Sequence, residues 1–251
     1  EINRVAPDGK SVAYASRTGK RINEQFLYQF DHFVKDQTEA DKLNAAVYQP
    51  WGKLIPGDVV YKDQNGDGKI TDQEDRIATG NPRNPEIQFG IPMGISYKGF
   101  DFSALFIGTA NGSYMLSNGY LIPFYKNAGN VLQWEYDGRW TPEKVASGAE
   151  ITYPRATYSN STTDNNFITS DFWLISNNFF KLKNAEIGYV FTNKFLRTAK
   201  ISSLRIYANG NNLFTFKNKL SDKGIDPETT DGSTYVYPIT RVFSMGLNIR
   251  F

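Results

Sequence analysis

The chain has 251 residues with 28 Lys and Arg against 26 Asp and Glu, a net charge of +2. So even a balance carries no field of the kind that draws nucleic acid. It has no Cys and a single His, so disulfide frameworks, thiol catalysis and multi-histidine metal sites are excluded. Its mean hydropathy is −0.48, and no run approaches 18 apolar residues, which excludes a helical membrane span but not a β-barrel, whose strands alternate. Aromatics make 15% of the chain and there are 21 Gly, a composition that favours strands and turns.

In chain order, Pro7-Asp8-Gly9 predicts a turn before the alternating Ser11-Val12-Ala13-Tyr14. Arg21 to Phe30 reads as a strand. Thr38 to Val47 reads as a short helix, with Thr38 as its cap and Ala40, Leu43 and Val47 at helical spacing. Pro50 to Pro85 reads as loop, dense in Gly, Asp and Asn, with Val59-Val60-Tyr61 strand-like inside it and Gly80-Asn81-Pro82 as a turn.

A hairpin follows. Phe89, Ile91, Met93, Ile95 and Tyr97 alternate with small or polar residues, Lys98-Gly99 turns the chain, and Phe100, Phe102, Ala104 and Phe106 continue. A two-residue turn sets Tyr97 opposite Phe100, so both apolar sets share one face. Pro92 argues against a central ladder position, and Leu105 and Ile107 interrupt the polar face. Residues 111–170 are long polar segments spotted with aromatics. Trp134, Tyr136, Trp140, Tyr153 and Tyr158 fit either a sugar- or partner-stacking surface or plugs that pack the loops. Ala185, Ile187, Tyr189 and Phe191 alternate again, but Phe180 and Leu182 lie on the other parity, which predicts a bulge near Asn184. Leu204, Ile206 and Ala208 form another alternating run. The last ten residues place Phe243, Met245, Leu247, Ile249 and Phe251 on one side and Ser244, Gly246, Asn248 and Arg250 on the other, as in a barrel strand ending in an interfacial aromatic. Short turns on one side and long loops on the other suit an outer-membrane barrel.

One motif carries metal chemistry. Asp63-Gln64-Asn65-Gly66-Asp67-Gly68-Lys69-Ile70-Thr71-Asp72-Gln73-Glu74 matches the calcium-loop pattern D-x-[DN]-x-[DN]-G-x5-E. Asp63, Asn65 and Asp67 offer hard oxygens, Gly68 permits the sharp turn, Lys69 gives its carbonyl and Glu74 clasps the ion, with Asp75 as an alternative closing ligand. Pro56-Gly57-Asp58 forbids a long entering helix, so this is a helix-less calcium staple and no EF-hand. The competing reading is a set of ion-free Asx-turns. Catalytic constellations are absent: His32 has no nucleophile context, and Glu135 and Asp137 read as solvated loop acids, so the chain is not read as an enzyme.

Taken together, several of these stretches resemble the C-terminal part of SusC/RagA-like TonB-dependent transporters of Bacteroidetes outer membranes. The resemblance spans roughly residues 20–251. It rests on Pro56-Gly57-Asp58 through Ile70, Asp75-Arg76, Gly80-Asn81-Pro82, Tyr97-Lys98-Gly99-Phe100-Asp101 and Gly138-Arg139-Trp140-Thr141-Pro142-Glu143. It continues through Ser170-Asp171-Phe172-Trp173-Leu174, Lys181 to Tyr189, Leu204 to Phe214, Asp226-Pro227-Glu228 and Tyr237-Pro238 to Phe251. One departure concerns the loop: the family usually closes it with Asp at the twelfth position, where this chain has Glu74.

The resemblance implies an all-β fold, the final strands of a 22-stranded antiparallel transmembrane barrel with long extracellular loops. All 251 residues are then a C-terminal barrel segment of about eight or nine strands, with plug and N-terminal strands expected elsewhere. It further implies residence in the cell outer membrane, against the lipid bilayer, and active import of oligosaccharides or peptides. The partners implied are a SusD-like surface lipoprotein as lid and the TonB complex. Two other function classes fit the residues: a secreted calcium-stapled β domain that binds glycans, and a passive porin-like channel. Substrate identity is not legible.

Overall fold

The computed structural model describes residues 13–127, 129–158, 164–192, 196, 198, 200–216, 218–229 and 239–251. The expected turn at Pro7-Asp8-Gly9, the start of the run at Ser11-Val12, and Tyr237-Pro238 lie outside them. The chain forms two compact units. The first draws on the described residues of Glu1–Asn84 and Ser113–Ile175, the second on those of Pro85–Gly112, Ser176–Thr229 and Tyr237–Phe251. Among the described residues no helix is long and apolar enough to cross a membrane.

The second unit is one antiparallel sheet. Its strands are β5 (Ile87–Tyr97), β6 (Phe100–Ala110), β9 (Phe179–Phe191), β10 (Ser203–Thr215) and β11 (Val242–Arg250), ordered β11-β10-β9-β6-β5. Lys98 and Gly99 have φ of 47° and 88°, the mirror-image turn whose twist suits a hairpin, and Tyr97 pairs with Phe100 as expected. Pro92 sits in β5 opposite Leu105 with no register break; β5 is an edge of this sheet, where a missing N–H is tolerated. Pairing carries rows of residues straight across the sheet. Tyr97, Phe100, Tyr189, Ile206 and Leu247 form one row, and Ile95, Phe102, Ile187, Ala208 and Met245 the next. These rows alternate with Ser96, Asp101, Gly188, Tyr207 and Gly246, then Gly94, Ser103, Glu186, Asn209 and Ser244. Opposed residues share a face, so one face of the sheet is apolar and the other polar.

The expected break in β9 is present. Leu105 pairs with Asn184 and the next residue, Phe106, with Leu182, so Lys183 is an extra residue in β9. Against β10 the same two β9 positions meet Asn211 and Phe214, so β10 carries two unpaired residues at that level, Asn212 and Leu213. Asn212 has φ of 54°.

The first unit departs from expectation in several places. Tyr14 lies in a single 3-10 turn, Ala13–Ala15, and not in a strand. The stretch from Arg21 to Phe30 divides into β1 (Glu24–Tyr28) and the start of β2 (Phe30–Phe33). The helix α1 runs Gln37–Ala46, and its N-cap is Asp36, whose carboxylate accepts from the Glu39 N–H at 2.9 Å; Thr38 is inside the first turn. The segment Pro50–Pro85 holds two strands: β3 (Val59–Tyr61) pairs with β2, and β4 (Arg76–Pro82) pairs with β1. Gly80-Asn81-Pro82 therefore ends a strand instead of forming a free turn.

Residues 111–170 are more ordered than their polarity suggests. They contain β7 (Ser113–Met115), paired with β8 (Leu174–Ser176), and two short helices, α2 (Gln133–Gly138) and α3 (Pro142–Ser147). Two apolar clusters organise the unit. One gathers Tyr28, Val59, Tyr61, Ile70 and Ile168; the other gathers Val34, Ala40, Leu54 and Val60.

Candidate functional site

Ile70 anchors the acidic loop in this core. Ile70 is buried at 1% exposure, and the backbone on either side of it is laced to Tyr48: the Tyr48 N–H donates to Gly68 O at 2.8 Å, and the Ile70 N–H donates to Tyr48 O at 2.9 Å. Gly66 and Gly68, with φ of 73° and 80°, give the two left-handed steps the tight turn needs. The Asp63 carboxylate accepts from the amides of both, at 2.7 and 2.8 Å. Asn65 accepts from the Asp67 N–H at 3.2 Å, and Asp67 from the Lys69 N–H at 2.8 Å. Asn65, Asp67 and Lys69 are exposed; Glu74 is buried, beside the Thr71 hydroxyl.

Asp75 closes the loop. It is fully buried, and its two oxygens accept from the Gln64 N–H at 2.8 Å and the Thr71 N–H at 2.6 Å, joining the loop's start to its end. Burial pushes its carboxyl up, and Asp63 and Asp67 add to this, against the lowering effect of the two amides. Tyr14 reports the same field. Desolvation raises its phenol and Asp75, Glu74, Asp63 and Asp67 raise it further, while its buried hydroxyl has no hydrogen-bond partner among the described residues. The donor set is all hard oxygen, which suits calcium by chemistry. In this geometry, however, no three Asp, Glu or His side chains among the described residues converge as a metal-holding group. The carboxylates are spent on Asx-type turns.

Sequence reasoning missed what holds the neighbouring motifs together. Asp58 is buried and accepts from Arg155 Nε at 2.6 Å and Asn166 Nδ2 at 2.8 Å; Asn166 Oδ1 in turn accepts from the Val59 N–H at 2.8 Å. A Cβ on Gly57 would fall 2.7 Å from Trp140 and Arg155, so the Gly57-Asp58 turn is where the Arg139-Trp140 segment packs. Of the five loop aromatics, Tyr153 is a core residue and Trp134 packs edge-on against it at 5.7 Å, while Tyr136 and Tyr158 stand exposed. The expected solvated acid Glu135 is buried: its carboxylate accepts from the Leu132 N–H at 2.8 Å and closes the start of α2.

On the polar face of the sheet, Arg205 bridges three strands. Its Nε donates to Asp101 at 3.0 Å and its Nη2 to Glu186 at 2.7 Å. Gly188 lies beneath this crossing, where a Cβ would come 2.6 Å from the guanidinium, so only glycine leaves the path open. Farther along β9, Lys181 is 2% exposed and donates to Glu228 at 2.6 Å and Asp226 at 3.2 Å; Lys183 donates to the other oxygen of Glu228 at 2.6 Å. The Asp226-Pro227-Glu228 segment is thereby fastened to the bulge. On the apolar face Phe89, Met93, Ile95, Phe102, Ile187, Phe243, Met245 and Leu247 are all exposed, Met245 at 89%.

An antiparallel sheet with one uninterrupted apolar face in the open and charged residues on the other is a segment of barrel wall, similar in fold to that of outer-membrane transporters. In sequence the chain is similar to TonB-dependent receptors. The chain is 27% identical over 213 residues to TonB-dependent receptor P3 of Formosa agariphila, a match covering 80% of this chain. To receptor P26 of the same organism it is 28% identical over 214 residues, covering 78%. It spans about a fifth of the length of these curated relatives, 20% of each. No family model matches. Among solved structures, the RagAB peptide importer in its open-open state matches 91% of this chain and 22% of its own with a TM-score of 0.60 at 17% identity. The structure of the RagAB peptide transporter gives a TM-score of 0.60 at 16% identity. The resemblance to SusC/RagA-like receptors read from the motifs thus stands in both sequence and fold.

Proposed function

We propose that this chain is part of a TonB-dependent active importer of glycan or peptide oligomers in the outer membrane, working under a SusD-like lid lipoprotein and energised by the TonB complex. The observation that carries the reading is the two-faced sheet. From Phe89 to Tyr97 the apolar face runs eight residue-to-residue steps, about 27 Å along the strand at ~3.4 Å per step. At the ~40° tilt of barrel strands that projects to about 21 Å, close to the ~25 Å apolar band of such barrels. Aromatics gather at both ends: Tyr97, Phe100 and Tyr189 at one, Phe89, Phe180 and Phe216 at the other, and the middle rows are mainly aliphatic. In water such a face would be an aggregation surface. The polar face, with Arg205, Asp101 and Glu186, suits a wet lumen, and the long loops of the first unit suit the extracellular rim.

In the same reading the loop holds a structural calcium ion through Asp63, Asn65, Asp67, the Lys69 carbonyl and Glu74, or Asp75 in its place. The match of the motif to the calcium-loop pattern and its set of hard oxygen donors support it. The ion shapes the rim and does no chemistry on substrate. Fractionation and uptake test the whole: the full-length protein should co-purify with outer membranes, and its oligomer uptake should vanish when the TonB complex is deleted. Uptake that survives that deletion would leave a passive channel, and recovery of the protein from the soluble fraction would leave a secreted domain.

A further inference from the structure

The polar face of the sheet is not open along its whole length. Gly90, Ile107, Lys181 and Thr215 pair in one row, and Gly90 shares the polar face with Gly94, so the Lys181 side chain rises from that face. The next row holds Phe89 and Phe180, at the end of the sheet away from the Lys98-Gly99 turn. A lysine on a wet wall belongs in solvent, yet Lys181 is 2% exposed. Leu105 and Ile107, the apolar residues that interrupt this face, are half-buried at the same level. The chain that follows β10 supplies the cover over Lys181.

Residues 218–229 are built for that place. The Asn218 side-chain amide donates to Asn178 O, and its Oδ1 accepts from the Leu220 and Ser221 N–H groups at 2.8 and 3.1 Å. The Ile225 N–H returns to Leu220 O at 3.0 Å, and both side chains are buried. Gly224, with φ of 76°, leads the chain out of this knot. Beyond it the Asp226 carboxylate accepts from the Glu228 N–H at 2.9 Å, so the two acids are held together where they meet Lys181 and Lys183. The segment thus has a folded foot and a charged head. Two ammonium groups against two carboxylates leave the docked head neutral. Lifting it as a whole returns all four ions to water, which recovers much of their hydration and offsets the lost contacts. We infer that residues 218–229 form a hinged strap on the lumen side of the wall, closed by the Lys181–Glu228–Lys183 contacts, which narrows the passage until those contacts release. The inference rests on the import reading, which makes the polar face a lumen.

The test uses the full-length protein in isolated outer membranes, acylated with sulfosuccinimidyl acetate and mapped by mass spectrometry. In the wild type Lys181 should react about tenfold more slowly than Lys219, an exposed lysine of the same segment, because it reacts only when the strap lifts. Asp226→Asn combined with Glu228→Gln should speed Lys181 about tenfold, the scale of a lost charge-pair contact. Asp222→Asn, an exposed acid of the segment outside the latch, should leave it unchanged. Cells carrying the double variant should lose resistance to vancomycin, a solute too bulky for ordinary porins, and cells carrying Asp222→Asn should keep it. If the double variant does not reach the outer membrane, Lys183→Met takes its place, with about a threefold rise at Lys181 and the same loss of resistance. Lys181 as reactive as Lys219 in the wild type, labelling indifferent to the variants, or faster labelling with resistance intact would each overturn the strap. The import reading fails by a different result, a wild-type protein absent from outer membranes, so the two are separable.

Discussion

Replacing Ile187 by Arg distinguishes lipid from water on the apolar face. Ile187 is 55% exposed, sits on β9 between paired strands, and lies in the row of Ile95, Phe102, Ala208 and Met245, one row in from the Tyr97–Tyr189 end. In water, an exposed strand residue of this kind accepts Arg within about 0.5 kcal/mol. Against hydrocarbon the same change costs about 2–4 kcal/mol at the midplane and about 0–1 kcal/mol at the interface; one row in from the end, Ile187→Arg should cost about 2 kcal/mol, roughly a 30-fold loss in the folding constant. Ser103→Arg is the matched control, because Ser103 is paired with Glu186 on the opposite face at nearly the same depth. Leu247→Arg, in the Tyr97–Tyr189 row, should cost less than Ile187→Arg, because the penalty falls toward the interface. The assay is urea unfolding of the full-length protein in phosphatidylcholine vesicles. Equal midpoints for Ile187→Arg and Ser103→Arg would refute the assignment of faces.

Lys181→Met should destabilise the full-length protein by about 3 kcal/mol, because it strips a buried partner from Asp226 and Glu228; a midpoint unchanged in urea would show the cluster is idle. Burial raises the Glu228 carboxyl, but hydrogen bonds from Lys181 and Lys183 outweigh it and hold the group below its ordinary value of 4.5. A depressed value means stability that is present above pH 4.5 and is lost as the pH falls below it, so the protection of amides in residues 226–229, after division by their intrinsic exchange rates, should hold above that point and fall below it. Asp36→Ala should cost about 1 kcal/mol through loss of the α1 cap, while Thr38→Ala, inside the helix, should be nearly neutral by the same measurement. Phe251→Ala, at an exposed position just past β11, should lower outer-membrane yield, whereas Tyr158→Ala should leave it unchanged. Replacing Asp63 and Asp67 by Ala should abolish calcium uptake by titration, and an ordered wild-type loop that binds none at millimolar calcium would leave the Asx-turns as the whole explanation.

The sheet was legible because alternation is a local signal that pairing then repeats. The Tyr97–Phe100 register, the break beside Asn184 and the apolar set at Phe243–Ile249 all follow from counting by twos. The first unit was less legible, for physical reasons. Arg76–Pro82 contains Gly80 and Asn81 and becomes a strand only because β1 is there to pair with it. Residues 111–170 read as polar loops because their order comes from distant side-chain to backbone bonds, such as Asn166 to Val59 and Tyr153 to Leu121 O. Asp36 lost to Thr38 as the expected cap because both are good cap residues two positions apart. In the candidate site, the motif supplied Asp63, Asn65 and Asp67, but only coordinates give Asp75 the role of joining the loop's ends.

The extra residues near Asn184 follow a progression. At that level β6 has none, β9 has one and β10 has two. Each step from β6 to β10 adds one residue to the path at that level, the pattern of bulges, which bend their strand and increase the local right-handed twist. Removing Lys183 alone would leave β9 alternating perfectly, Phe180 and Leu182 passing directly into Asn184 and Ala185. The apolar pattern therefore has no need of that residue. Its place in the chain is explained by geometry: an extra residue bends its strand beyond the twist every sheet already has, which is the means by which a sheet acquires the curvature of a closing wall.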